Sequence, residues 1–259
     1  MKLFKELRPA KIFLFITLFC CIYACSYFKK EIKEPPFDSE TSYQQAEDLM
    51  NRGYNEEARK VLEDIKGKDT SQQYAILARL RIADTYFEDS SYEEAVIEYQ
   101  SFLDSYPAHK YASYAQYRIA MSYFKQIKTP DVSYSVAQTA IQEFERLQRN
   151  YPRNPYMEIT ENRIRACYRV LAEYEFYVGS FYFKKGAYMA AAQRFNNLLQ
   201  SYPDSVNESE ALYYLGLSYE NLGERERAVS ALTTLIEKFP TIKLSNDARN
   251  FLSSLKQKK

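Results

Sequence analysis

One spacing recurs along the chain and restricts what it can fold into: an alanine is followed twelve residues later by a proline. The pairs are Ala95/Pro107, Ala140/Pro152, Ala191/Pro203 and Ala228/Pro240. Each proline directly follows a tyrosine or phenylalanine. Because proline cannot continue a helix and disfavours helical backbone at the residue before it, each pair predicts a helix that begins near the alanine and ends at the aromatic residue.

A second pattern precedes each of these helices, in which tyrosine follows a small residue by three positions. It occurs at Ala83/Tyr86, Ala120/Tyr123, Gly179/Tyr182 and Gly216/Tyr219. Small residues let two helices approach closely, and aromatic side chains fill the space around them. Near the N-terminus both patterns weaken, since Leu49 follows Ala46, and Ala58 has Thr70 in place of the proline. An atypical first unit is expected of a cap.

Together the two patterns are typical of the tetratricopeptide repeat, a helix-turn-helix unit of about 34 residues that stacks into a solenoid. The stretch from Leu171 to Pro203 holds one complete copy, with Gly186 at its turn. We predict an all-α solenoid of about five units over residues 41–259. The units are expected at about 41–70, 74–107, 111–152, 155–203 and 208–240, followed by a C-terminal helix at 243–256.

Two insertions are expected in the middle units, because the alanines at 58, 95, 140, 191 and 228 are separated by 37, 45, 51 and 37 residues. One is a loop from Gln126 to Val132, where Thr129-Pro130-Asp131 breaks a helix. The other lengthens the first helix of the fourth unit, which is predicted to run from Pro155 to about Lys184.

The N-terminus has the features of a secretory signal. A basic start is followed by an apolar run from Ile12 to Ile22, which is short for a transmembrane helix, and by Ala24 before Cys25. Ile22-Tyr23-Ala24-Cys25 resembles the bacterial lipobox, so we predict a signal peptide at 1–24, lipid attachment at Cys25 and a flexible tether over 25–40. An ordinary signal peptide or an uncleaved anchor is the alternative. If Cys25 is lipidated, the lipid is expected to hold the protein on the periplasmic face of the outer membrane.

The remaining composition argues against nucleic-acid binding and catalysis. The net charge of +1 falls to −2 once the +3 of residues 1–24 is removed, so no basic footprint remains. The chain has one histidine, His109, predicted to lie in a turn, and it lacks Gly-rich phosphate loops, Gly-x-Ser-x-Gly and Cys-x-x-Cys. We predict a protein that is not an enzyme and needs no cofactor or metal. Cys167 is expected to be a small buried side chain.

A binding role would use the inner wall of the solenoid, which the first helices line. In units one to three this wall is mostly apolar, and we predict a groove for an apolar or aromatic-rich peptide. The alternative is that these side chains pack on neighbouring helices. The predicted groove residues are Tyr43, Met50, Leu77, Leu80, Phe87, Tyr114, Tyr117, Met121 and Phe124.

Particular residues of the fourth unit resemble a known family. Leu171-Ala172-Glu173-Tyr174-Glu175, Phe181-Tyr182-Phe183, Gly186-Ala187-Tyr188, Arg194 and Tyr202-Pro203-Asp204 are similar to the signature of the BamD family of outer-membrane assembly lipoproteins. The resemblance implies a non-enzymatic subunit of the β-barrel assembly machinery. It further implies that C-terminal repeats bind the innermost POTRA domain of a BamA-like barrel subunit and that N-terminal repeats receive unfolded outer-membrane proteins.

The same resemblance implies other Bam lipoproteins as partners and a contact from Arg194 to an acidic residue of the barrel subunit. A guanidinium suits such a contact better than an ammonium does. The alternative for Arg194 is a solvated helix residue. The alternative for the whole chain is a different periplasmic repeat lipoprotein, an adaptor of the type that works with Tol-Pal in envelope maintenance. Adaptors of that type carry an N-terminal coiled coil, which this sequence lacks.

Overall fold

The computed structural model describes residues 37–257. The fold described below is that of the compact unit formed by residues 39–259. The predicted signal peptide and Cys25 lie outside the described residues, as does the predicted tether as far as residue 36. They stay predictions.

The described residues form α-helices joined by short connections. The predicted all-α, tetratricopeptide-like solenoid is confirmed, because the helices follow one another as antiparallel pairs and each packs on the next in sequence. The five pairs are α1 (Ser39–Asn51) with α2 (Asn55–Lys68), α3 (Gln73–Glu88) with α4 (Tyr92–Ser105), α5 (Ala112–Lys125) with α6 (Tyr134–Asn150), α7 (Met157–Lys184) with α8 (Tyr188–Ser201), and α9 (Glu208–Asn221) with α10 (Arg225–Lys238); α11 (Lys243–Gln257) packs on the last pair.

The aromatic residue before each repeat proline ends the second helix of its pair. Tyr106, Tyr151, Tyr202 and Phe239 have φ values of −138°, −132°, −134° and −128° with ψ near 60°. Their backbone N–H groups still donate to the carbonyl four residues earlier. The following proline excludes helical backbone at these positions, which explains why four helices end at the same place in the repeat.

The first pair lacks the Tyr-Pro sequence at its end, and Asp69 stands at the corresponding turn. Its carboxylate accepts hydrogen bonds from the backbone N–H of Tyr74 (2.8 Å) and Ala75 (2.9 Å) in the first turn of α3. It also accepts from the hydroxyl and backbone N–H of Ser71. A side-chain cap on the next helix therefore makes this turn without proline.

In the third pair α6 is longer than the other second helices, with 17 residues against 14. Ala137 is the residue whose N–H closes the first helical turn, as Ala58, Ala95, Ala191 and Ala228 do in their helices. Ala140, which the spacing to Pro152 selected, lies three residues further on. Both alanines are fully buried, because residues three apart share a helix face.

In the fourth pair the two helices approach closely at a glycine. A Cβ atom on Gly179 of α7 would lie 2.7 Å from the ring of Phe195 on α8, so only glycine fits. The same arrangement recurs at Gly216 of α9, opposite Leu232 of α10. Helix α7 has 28 residues, twice the length of α8, and Cys167 at its middle is a buried free thiol. Burial raises the pKa of that thiol to about 12, so it stays protonated at neutral pH.

Candidate protein-binding sites

The nine residues predicted to line a peptide groove lie on α1, α3 and α5, the first helices of units one to three. Three of them are buried in the core: Leu80, Phe87 and Met121 are 5%, 9% and 7% exposed. The other six are half-buried, namely Tyr43, Met50, Leu77, Tyr114, Tyr117 and Phe124. A peptide approaching this wall would therefore meet the half-buried side chains, and peptide binding there stays a prediction.

A charged network that the sequence reasoning did not anticipate crosses the same wall. Asp84 of α3 is 3% exposed and accepts hydrogen bonds from the hydroxyls of Tyr99 and Tyr114, the latter at 2.7 Å. Arg81 donates to the other carboxylate oxygen at 3.0 Å and to Glu47 of α1 at 3.2 Å. Helices of units one, two and three are thus joined through one buried carboxylate, which is fully satisfied.

Arg118 of α5 extends this network across the second and third units. Its guanidinium lies 3.6 Å from the centre of the Phe87 ring and donates to Tyr99 at 3.0 Å and to Glu88 at 2.9 Å. Burial raises the pKa of Tyr99 and Tyr114, and the Asp84 charge raises it further, so both phenols stay protonated and donate. The inner wall of units one to three therefore combines apolar side chains with the charged groups of Asp84, Arg81 and Arg118.

One sequence signal would have revealed the network. Arg81 and Arg118 each stand two residues before the small residue of their unit, Ala83 and Ala120, so they occupy the same repeat position. Asp84 follows Ala83 directly, at a position that the repeat places on the inner wall. Two guanidinium groups around one acidic residue of adjacent units predict an ion-paired cluster.

Aromatic contacts fix two other predicted groove residues. The ring of Tyr117 is stacked on Tyr156, with centroids 4.4 Å apart and planes 9° apart. Phe124 meets Phe144 edge-on and lies 5.0 Å from the guanidinium of Arg163. Tyr156 and Arg163 belong to the fourth unit or the turn before it, so the wall of unit three is partly covered by its neighbour.

Arg194, the predicted contact to a barrel subunit, lies on α8 and has a partner within the chain. Its Nη1 is 3.2 Å from Oε1 and 3.4 Å from Oε2 of Glu175 on α7. The Glu175 side chain is 6% exposed and that of Arg194 is 35% exposed. The buried Glu175 therefore holds the guanidinium in place, while about a third of the Arg194 side chain is exposed to solvent.

His109 lies in the turn between α4 and α5, where sequence placed it. Its Nδ1 accepts a hydrogen bond from the backbone N–H of Tyr111, and its ring meets Phe102 edge-on. Burial and the nearby Lys110 lower its pKa.

Over residues 37–257 no group of three or more His, Cys, Asp or Glu side chains is placed to hold a metal ion. None of the described helices is both long and apolar enough to span a bilayer.

Comparison with known proteins decides the family. The model of the YfiO family, described as an outer membrane lipoprotein, matches residues 36–231, which include helices α1 to α9 and the first half of α10. The chain belongs to this family. YfiO-family relatives include outer membrane protein assembly factor BamD of Rickettsia prowazekii, 31% identical over 190 residues and 73% of each chain. The BamD of Neisseria meningitidis serogroup A is 25% identical over 244 residues, 89% of this chain and 91% of the relative.

Solved structures with a similar helical arrangement include a yeast Sti1 TPR2AB domain in complex with pHSP90. That chain is 13% identical with a TM-score of 0.43, and the match covers 83% of this chain and 84% of the other. YrrB, a TPR protein with an unusual peptide-binding site, is 19% identical with a TM-score of 0.34, covering 86% and 97%. Neither likeness bears on what the YfiO-family chain described here binds.

Proposed function

We propose that this chain is a non-enzymatic assembly factor for outer-membrane proteins. The observation that carries the proposal is the family match over residues 36–231, which spans nearly the whole described solenoid. Relatives at 25–31% identity that cover most of the chain are named outer membrane protein assembly factors. A solenoid of helix pairs with an extended inner wall suits binding of other proteins.

In finer detail, we propose that the fourth and fifth units bind a BamA-like barrel subunit through its innermost POTRA domain. The inner wall of units one to three would receive unfolded outer-membrane proteins. Lipid on Cys25 would hold the chain on the periplasmic face of the outer membrane, beside other lipoproteins of the machinery. The partly exposed Arg194 supports the assignment of the barrel subunit, and the half-buried aromatic residues of the wall support that of the unfolded proteins.

A pull-down of the full chain from detergent-solubilised outer membranes tests the partner. Recovery of a POTRA-containing barrel protein is the expected result. Recovery of Tol-Pal components without any barrel protein would overturn the proposal in favour of an envelope-maintenance adaptor.

Arg194 needs a paired design, because removing it leaves the buried Glu175 without its cation. We expect Arg194→Met to lower the free energy of unfolding by about 1–3 kcal/mol, less than for a fully buried pair because the arginine is partly exposed. The double variant Arg194→Met/Glu175→Gln removes the unpaired charge and should regain most of that stability. Both variants should lose recovery of the barrel protein.

Urea unfolding and the same pull-down separate the two roles of Arg194. If the double variant recovers the barrel protein as well as the unchanged chain does, Arg194 serves only to pair Glu175.

Leu77 offers the clearest test of substrate binding on the inner wall. Phe87 is unsuitable, because it lies beneath the guanidinium of Arg118 and Glu at that position would bury a second charge. Leu77 is half-buried, so Leu77→Glu should weaken binding of an aromatic-terminated peptide by about tenfold or more. It should lower the melting temperature less than Phe87→Glu would. Ile97→Glu on α4 is the control, since Ile97 is 66% exposed. Equal affinities of the two variants would contradict substrate binding at this wall.

A further inference from the structure

A separate cavity of about 760 Å³ lies on the N-terminal half of α7, beside the turn that follows α8. It contains neither Arg194 nor any of the predicted groove residues. From α7 it is lined by Asn162, Arg163, Arg165, Ala166, Tyr168, Arg169 and Ala172, and from the turn by residues 201–205. The cavity is therefore formed by other residues of the fourth unit than the Arg194 contact proposed above.

The cavity exists because α7 is twice as long as α8. Gly179 packs against Phe195 of α8, and Ala172 and Arg165 lie seven and fourteen residues earlier, about two and four helical turns along the same face. Helix α8 covers this face of α7 around Gly179 and ends at Ser201. Beyond that end, the same face of α7 is not covered by α8. Ala172 is still buried, whereas Arg165 and Arg169 are exposed.

The side chains in this uncovered stretch are cationic and aromatic. Arg169 makes no ion pair with any residue between 37 and 257. Arg165 donates a hydrogen bond to the side chain of Asn162 and has an exposed contact of 4.0 Å with Glu161, both on its own helix. Tyr168 is 41% exposed, and its ring centroid lies 6.3 Å from that of Tyr202. The lining residues include three arginines and one carboxylate, Asp204, so the cavity favours a negatively charged occupant.

The spacing of the two exposed arginines indicates what shape of occupant fits. Arg165 and Arg169 are four residues apart, a rise of about 6 Å along α7. Alternate side chains of an extended peptide are about 6.6 Å apart and point to the same side. Carboxylates at alternate positions of an extended segment would therefore meet one guanidinium each, with bidentate geometry available to both.

We propose that this cavity docks an extended acidic segment of a partner protein, with Asp or Glu at alternate positions and an aromatic residue beside them. Arg165 and Arg169 bind the carboxylates. Tyr168 and Tyr202 supply an aromatic surface on which a ring of the segment packs. The occupant is a protein segment and not a lipid headgroup, because the aromatic pair adds an apolar contact that a phosphate does not use.

Fluorescence anisotropy with a short labelled peptide of alternating Glu and Tyr tests the proposal on the full chain. A peptide with Gln in place of each Glu is the matched probe. We expect the Glu peptide to bind at least about tenfold more tightly than the Gln peptide. Raising NaCl from about 50 mM to about 300 mM should weaken its binding, because partly exposed charges are screened.

The variant Arg165→Glu/Arg169→Glu should lower affinity for the Glu peptide at least about tenfold, since it replaces two attractions by two repulsions. Arg52→Glu/Lys60→Glu in the first unit is the control. It changes the net charge equally at two exposed residues, each in an i,i+4 ion pair. Affinity for the Glu peptide should be unchanged in this control.

Three outcomes would overturn the proposal: equal affinity for the Glu and Gln peptides, an equal loss in the control variant, or no binding of either peptide. A fourth is binding to phosphatidylglycerol vesicles that requires Arg165 and Arg169 while the Glu peptide does not bind. That result would show that the cavity takes a lipid phosphate.

Discussion

Asp69 closes the first repeat with a carboxylate where the later repeats use an aromatic residue and proline. Burial of Asp69 raises its pKa. Hydrogen bonds from Ser71 and from the backbone N–H groups of Ala75 and Tyr74 lower the pKa and together outweigh burial, so the pKa of Asp69 lies below its ordinary value. A depressed pKa means that the ionised form stabilises the fold. That contribution is present above the pKa of the unfolded chain, about 4, and is lost as pH falls through the folded value.

We therefore expect Asp69→Asn to lower the free energy of unfolding by about 0.5–2 kcal/mol at neutral pH, the usual range for losing a helix cap. The difference from the unchanged chain should shrink as the pH is lowered below about 4, because Asp69 then becomes protonated in both states. Urea titrations over a pH series measure this. Asp64→Asn is the control, since Asp64 is 61% exposed in an i,i+4 pair. A pH-independent difference for Asp69→Asn would contradict the capping role.

Single residues also explain why the inner wall was only partly predicted. The periodicity correctly placed Leu80, Phe87 and Met121 on first helices, but it does not distinguish a wall open to solvent from one covered by neighbouring side chains. Coverage depends on long side chains from other units, such as Arg118 over Phe87. Such contacts join residues about thirty positions apart, and helical periodicity carries no information about them.

At the scale of helices, the close contact between α7 and α8 rests on one missing methyl group. We expect Gly179→Ala to lower the free energy of unfolding by about 1–3 kcal/mol, because the new Cβ would overlap the fully buried ring of Phe195. Gly67→Ala in α2 is the matched control. Nothing lies within 4 Å of a Cβ there, so it should gain up to about 1 kcal/mol from helix propensity.

Thermal or urea unfolding of the two alanine variants measures the sign of each change. Equal effects in both would show that helix propensity alone sets the outcome and that the helices can move apart at Gly179.

Helix ends were predictable where a local chemical reason exists. Proline fixes the ends of α4, α6, α8 and α10 through the backbone of the residue before it. The start of α6 was harder to place, because Ala137 and Ala140 both satisfy a pattern of buried alanines three residues apart. Only the hydrogen bond from Ala137 to Ser133 shows where the helix begins. The inserted loop before it is closed by Ser133, whose hydroxyl accepts from the N–H of Lys128.

At the scale of the whole molecule, the repeat spacing was sufficient to predict the solenoid, because each unit is the same kind of helix pair. Polar contacts between helices were not predicted. The Asp84 cluster and the Arg194–Glu175 pair both join different helices, and their partners follow from how the helices stack. Sequence suggested either a contact to the barrel subunit or a solvated helix residue for Arg194, whereas the structure places the buried carboxylate of Glu175 beside it, which any functional test has to account for.

The most direct test of the central claim is depletion of this protein in its own cells, followed by quantification of folded β-barrel proteins in the outer membrane. Folded barrels resist unfolding in cold detergent, so electrophoresis with and without heating distinguishes them from unfolded ones. An assembly factor predicts a fall in several folded barrel proteins, restored by the unchanged chain and not by Arg194→Met/Glu175→Gln. Unchanged levels of folded barrels after depletion would contradict the proposed function.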